Sequence, residues 1–104
     1  MLGLIKKIFG GPSVNYKKLL NDGAIIIDVR TNGEFNLGHI PGSSNYPLDS
    51  IHSKIAEIQK LRKPVITVCR SGARSGVAKN ILKKAGVEAF NGGPWDSLKN
   101  KISL

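Results

Sequence analysis

The chain has 104 residues, 40% of them hydrophobic, which is enough for one packed core but not for two. Sixteen Lys and Arg against seven Asp and Glu give a formal net charge of +9. The lone cysteine, Cys69, excludes an intramolecular disulfide and a cysteine-based zinc site and suits a reducing compartment, so a cytoplasmic location is expected.

Residues 1–10 carry Leu2, Leu4, Ile5, Ile8 and Phe9 around Lys6 and Lys7. The stretch is too short to span a bilayer. Its lysines interrupt what would be a signal-peptide core, and no small-residue cleavage site follows. It is expected to pack on its own domain or fray, with an amphipathic helix of one to three turns touching a membrane or partner as the alternative. Gly10-Gly11-Pro12 then breaks the chain, so residues 1–12 form a separate short segment and 13–104 the domain.

Ser13 is the predicted N-cap of a helix through Tyr16, Leu19 and Leu20 that Gly23 ends. Ala24 to Val29 is almost continuously apolar, as a parallel strand buried on both faces should be. Asp28 lies inside it and Arg30 just beyond its end. Asn32 to Leu37 suits a short helical turn, and a short strand is expected before Pro47. Asp49 or Ser50 is placed to cap a helix through Ile51, Ile55 and Ile58. His52 on that helix should be solvated.

Pro64 leads into Val65 to Val68, a run of apolar and β-branched residues that reads as a buried strand. From Ser75 to Ala85 the spacing of Ala78, Ile81, Leu82 and Ala85 predicts a helix. Gly86 is its C′ residue, and Lys83 and Lys84 stand where cations suit the helix end. Val87 to Phe90 is a further short strand, Asn91-Gly92-Gly93-Pro94 a turn, and Trp95, Leu98 and Ile102 the apolar stripe of a last helix. Strands alternating with helices predict an α/β fold, a central parallel sheet with helices on both faces.

Cys69 therefore falls at the C-terminal end of a buried strand, just before a helix N-terminus, where open α/β sheets bind ligands. Between strand and helix run Arg70-Ser71-Gly72-Ala73-Arg74. Backbone N–H groups curling round the sulfur, the helix dipole and a nearby arginine all favour the thiolate, which is the nucleophilic form. Gly72 allows the tight turn, and two forked guanidinium groups suit oxyanions. A buried structural cysteine is the bland alternative, but it has no use for two arginines and an anion nest. The residues point to an anion-binding cradle with a nucleophilic thiolate at its base.

The Cys-x-x-Gly-x-Arg pattern after a buried strand resembles the active-site loop of the rhodanese family of sulfurtransferases. Asp28-Val29-Arg30 with Glu34-Phe35 resembles that family's first motif, Gly38-His39-Ile40-Pro41-Gly42-Ser43 its second, and Asn91-Gly92-Gly93 with Trp95 its last. The four stand in family order over about residues 13 to 102, although Trp95 follows the glycine pair more closely than in many members. The resemblance implies a single rhodanese-like domain and a sulfur transfer through a Cys69 persulfide. The loop Arg70, Ser71, Gly72, Ala73, Arg74 and Ser75 would hold that persulfide, with Arg70 and Arg74 orienting the sulfonate of a donor such as thiosulfate. It further implies that Asp28 and Arg30 support the loop region as a structural ion-pair system, with Arg30 pairing with Glu34, and that His39 makes a structural hydrogen bond.

No metal or organic cofactor is implied. The expected partners are a small anionic sulfur donor, a thiol or cyanide acceptor, and a protein that gives or takes sulfur. Two rivals remain. One is a persulfide carrier fed by a partner protein. The other is a cysteine phosphatase or arsenate reductase of the same fold, for which the Cys-x4-Arg spacing is one residue shorter than the phosphatase Cys-x5-Arg. Lysines scattered in pairs at 6–7, 17–18 and 83–84, with no nucleic-acid motif, argue against a nucleic-acid role.

Overall fold

The computed structural model describes residues 13–103; the amphipathic stretch and the 1–12 segment lie outside them. Four strands, β1 (Ile25–Asp28), β2 (Ser44–Asn45), β3 (Val65–Cys69) and β4 (Ala89–Pro94), form one sheet in the order β2-β1-β3-β4, all parallel. The helices are α1 (Tyr16–Asn21), α2 (Asn32–Leu37), α3 (Ile51–Leu61), α4 (Ala73–Lys84) and α5 (Trp95–Ile102). A 3-10 turn, Leu48–Ser50, runs directly into α3.

The period-2 alternation of the strands divides the core. Ile27 and Val29 after β1, with Val65 and Cys69 of β3, face Ile51 and Ile58 of α3 and Ala78 and Leu82 of α4. Ile26, Ile66 and Val68 face the other way, against Leu19 and Leu20 of α1 and Leu98 of α5. Both faces of the sheet are thus covered, which is why all five residues of β3 are buried and why its sequence is apolar but for Thr67. Each fully buried Ile, Leu or Val contributes about 1.5–3 kcal/mol. Truncating Ile27 at the centre would cost about 2–5 kcal/mol. Because every strand runs the same way, Asp28, Asn45, Cys69 and Pro94 end at one edge of the sheet. Among the described residues no helix is long and apolar enough to cross a membrane.

Several local expectations need correction. Asn15, not Ser13, caps α1, accepting from the Lys18 N–H at 3.1 Å. Ser50 stands at the N-cap of α3, one of the two positions expected, but makes no side-chain cap hydrogen bond, because the 3-10 turn already feeds the N-terminus and its hydroxyl returns to the Pro47 carbonyl. The Asn91-Gly92-Gly93-Pro94 stretch is not a turn but the second half of β4, and it pairs with β3 through a bulge. Thr67 stands opposite Asn91 and Val68 opposite Gly93, leaving Gly92 as the extra residue. A Cβ on Gly92 would lie 2.7 Å from Ile66 Cγ2, 3.0 Å from the Thr67 carbonyl oxygen and 3.1 Å from Leu98 Cδ2. Glycine is there for close approach between layers rather than for reversal of the chain.

Candidate active site

Cys69 ends β3 with 0% of its surface exposed. The chain then turns through Arg70, Ser71 and Gly72, and α4 begins at Ala73, two residues before the Ser75 start expected from the apolar spacing. The helix starts early because Gly72, at φ 101°, lets the chain reverse in a left-handed conformation. Ser75 is consequently placed in the first helical turn, fully buried and pointing back at the sulfur.

The Gly72 N–H donates to Sγ at 2.9 Å, and Ser75 Oγ lies 3.3 Å from it. Burial pushes the Cys69 thiol up. Hydrogen bonds from the Ser75 side chain and from the backbone of Ser75, Gly72 and Ser71 outweigh it, and the net result is a thiol held below its usual range. The turn behaves as a small anion nest closed by one hydroxyl.

Two residues absent from the sequence-derived site hold Ser75 in place. Thr67, buried in the middle of β3, brings its hydroxyl to 2.8 Å from the Ser75 carbonyl and 3.2 Å from that of Phe90. Asn91 on β4 accepts the Ser75 hydroxyl proton at 2.7 Å through Oδ1 and donates from Nδ2 to the Gly72 carbonyl at 3.1 Å. A buried Thr amid Val and Ile was the available signal for the first. For the second it was an Asn beside the glycine pair, which the turn reading assigned to local backbone chemistry.

The arginines are partnered differently from expectation. Arg30 does not pair with the Glu34 carboxylate. Its guanidinium folds back on Asp28, with Nη2 at 2.7 Å and Nε at 2.9 Å, because Asp28 has no exposed surface and needs a cation beside it. The remaining Arg30 donors reach the carbonyls of Glu34 (3.3 Å) and Gly38 (2.7 Å), and the group lies 4.6 Å over the Trp95 ring. Asn45 clamps the same corner by donating to the Asp28 and Arg30 carbonyls.

The Glu34 carboxylate instead receives a bidentate fork from Arg74, at 2.8 and 2.9 Å. That hydrogen bond first, and then those from Thr31 in a capping box, lower its pKa from 4.5 to about 2. Arg74 is therefore held at the wall of the site rather than free at its mouth. Arg70 is exposed, and among the described residues no carboxylate pairs with it. It borders a shallow cleft of about 200 Å³ lined also by Arg30, Glu34, Leu37, Gly38 and Trp95.

His39 makes the expected structural contact, with Nδ1 at 2.8 Å from the Phe35 carbonyl and its ring stacked on Phe35 at 3.7 Å. His52 is exposed on α3. The structure thus gathers Asp28, Arg30, Glu34 and the whole Cys69–Ser75 loop at one edge of the sheet, and leaves both histidines outside the hydrogen-bond shell of the sulfur.

A parallel sheet covered on both faces, with a cysteine set among hydrogen-bond donors between strand end and helix, defines an α/β protein of open-sheet type. The rhodanese-like domain family matches residues 14–93, and the chain belongs to that family. Among curated relatives, it is 42% identical over 69 residues to the uncharacterized protein YqhL of Bacillus subtilis, covering 65% of this chain and 54% of that one. It is 40% identical over 62 residues to a protein named sulfurtransferase from Allochromatium vinosum, covering 60% and 57%. The chain thus spans little more than half of these relatives. A solved structure described as rhodanese with anions, from E. coli, superposes with a TM-score of 0.65 at 30% identity over 71% of this chain and 89% of that one.

Proposed function

We propose that the chain is a sulfurtransferase in which Cys69 carries the sulfur as a persulfide. The observation that carries this reading is the Gly72 N–H donating to Sγ at 2.9 Å within a turn whose other amides and Ser75 also favour a charged sulfur. In the first step the Cys69 thiolate attacks the outer sulfur of a thiosulfate-like dianion. The donor's S–S bond breaks, sulfite leaves with the bonding pair, and a Cys69 persulfide anion remains. In the second step cyanide or a thiolate attacks the terminal sulfur, and the Cys69 thiolate is regenerated. Charge and atoms balance in each step, and no redox partner is required.

Arg70, exposed and without a carboxylate partner among the described residues, steers the donor, with Arg74 as a neutralised wall beside it. The three-residue turn from Cys69 to α4 suits a single added sulfur better than a tetrahedral phosphate ester. The persulfide needs a reducing compartment for its thiol form, and the cytoplasm meets that need.

A second reading, a carrier loaded by a protein donor, is favoured by the net charge of +9 together with a sulfur that has no exposed surface. Intact mass after incubation with thiosulfate, then after cyanide, tests the proposal, with Cys69→Ser as control. A gain of one sulfur atom that requires Cys69 and is erased by cyanide supports it. No gain from thiosulfate, with a gain from a protein persulfide, selects the carrier. Turnover of a phosphate ester as fast as of thiosulfate overturns both.

A further inference from the structure

The hydrogen bonds around Ser75 contain one proton for two acceptors. The amide orientation of Asn91 is fixed from both sides, because Nδ2 donates to the Gly72 carbonyl at 3.1 Å and Oδ1 accepts from the Gly93 N–H at 2.9 Å. Turning the amide over would set donor against donor and acceptor against acceptor. Oδ1 can therefore only accept, and at 2.7 Å its partner is the Ser75 hydroxyl. A serine has one hydroxyl proton. While that proton points at Asn91, the 3.3 Å contact between Ser75 and Cys69 must be made by the S–H. When Cys69 ionises, the Ser75 proton has to rotate onto the sulfur and leave Asn91.

We infer that Asn91 is a positioning residue that competes with Cys69 for the Ser75 hydroxyl proton and thereby sets how readily the cysteine becomes a thiolate. The fold makes room for this contact. A Cβ on Gly76, in the first turns of α4, would stand 3.2 Å from Asn91 Nδ2, and a glycine there weakens the helix. Asn91 sits on the edge strand β4, exposed, so its side chain is not required to fill the core.

The charges around Cys69 come from other elements. Arg74 of α4 is paired with Glu34 of α2, and Asp28 and Arg30 at the end of β1 are paired with each other. Asp49 shares a cleft with Arg74, Arg70 is next in the chain, Asp96 on α5 is exposed, and β4 brings no ionisable side chain. Tyr16 of α1 donates its hydroxyl to the Asn91 main-chain carbonyl at 3.1 Å, a contact a side-chain change keeps. A change at Asn91 leaves all of these in place, so its effect must pass through Ser75, the Gly72 carbonyl or the Gly93 N–H, and the Ser75→Ala background separates the first from the other two. The consequence for sulfur transfer rests on the function proposed above, while the competition for the proton does not.

The test is a pH titration of the thiolate's ultraviolet absorbance in the full chain, where a single cysteine makes the signal unambiguous against a Cys69→Ser blank. Asn91→Leu removes the competing acceptor and should lower the midpoint by about 0.5–1 pH unit. Asn91→Asp keeps an acceptor, strengthens it and adds charge, and should raise the midpoint by about 1. Ser75→Ala should also raise it, and in that background Asn91→Leu should have no further effect. An unchanged or raised midpoint in Asn91→Leu overturns the inference, as does an equal shift in the Ser75→Ala background. If Asn91→Leu does not fold, Asn91→Asp measured with Ser75 and in the Ser75→Ala background decides, a larger rise with Ser75 present supporting the inference and an equal rise refuting it. A chain that shows these shifts yet gains no sulfur from thiosulfate would refute the donor and leave the proton competition standing.

Discussion

Replacing Glu34 by glutamine isolates what the paired arginine contributes. The fork from Arg74 is bidentate, but the Arg74 side chain is 36% exposed and that of Glu34 29%. Solvent screening limits such a pair to about 0.5–1 kcal/mol of stability. Glutamine keeps an oxygen for the Thr31 N–H, so the helix cap is largely retained. Since the folded pKa of Glu34 lies at about 2 against 4.5, its stabilisation is fully present above pH 4.5 and is lost as the pH falls toward 2. Glu34→Gln should therefore unfold at slightly lower urea at pH 7, and the difference from wild type should vanish near pH 2. The functional effect should have the opposite sign. Arg74 becomes an uncompensated cation, and one unit charge about 8–10 Å from a dianion in water contributes about 1 kcal/mol before salt screening. After screening at physiological salt, kcat/KM for thiosulfate should rise about 1.5- to 2-fold, and the gain should disappear at about 0.5 M salt. A fall in kcat/KM with the fold intact, or a gain that survives high salt, would refute the view of Arg74 as a neutralised wall.

Other perturbations separate the remaining parts. Arg70→Ala should lower kcat/KM for thiosulfate about 10-fold while moving stability by no more than about 0.5 kcal/mol, since among the described residues it has no carboxylate partner to lose; steady-state rates and urea unfolding read the two. Gly92→Ala forces a methyl against Ile66 and the Thr67 carbonyl and should cost about 1–3 kcal/mol in urea unfolding. Asp28→Asn leaves Arg30 charged and unpaired among buried groups and should cost about 3–5 kcal/mol by the same assay.

Much of this arrangement was legible in the residues. Continuous apolar runs at Ile25–Ile27 and Val65–Val68 mark strands covered on both faces, and the Cys69 loop follows from a strand end meeting a helix. What could not be read were facts set by the third dimension. Glycine and proline signal turns locally, yet Gly92 is demanded by Ile66, Thr67 and Leu98, which lie on two other elements. The partner of Arg30 was chosen by burial, since Asp28 has no exposed surface while Glu34 is partly solvated at the start of α2. Thr67 reads as one more β-branched strand residue until β3 is set beside α4 and its hydroxyl meets the Ser75 carbonyl.

These displacements share one consequence for the chemistry. Three arginines approach the strand ends, but Asp28 holds Arg30 and Glu34 holds Arg74, so positive charge at the mouth comes from Arg70 alone among them. A thiolate stabilised mainly by fixed cations would be a weak nucleophile, because a strongly depressed pKa lowers intrinsic reactivity. Here the stabilisation comes from one hydroxyl, that of Ser75, and from the amides of Ser75, Gly72 and Ser71. In the proposed transfer, neutral donors hold the charge on sulfur without binding a departing sulfite as a cation would. In the proposed transfer the ion pairs beside the loop slow capture of an anionic donor, as the Glu34→Gln prediction states, and ease release of sulfite, while holding the walls that shape the turn.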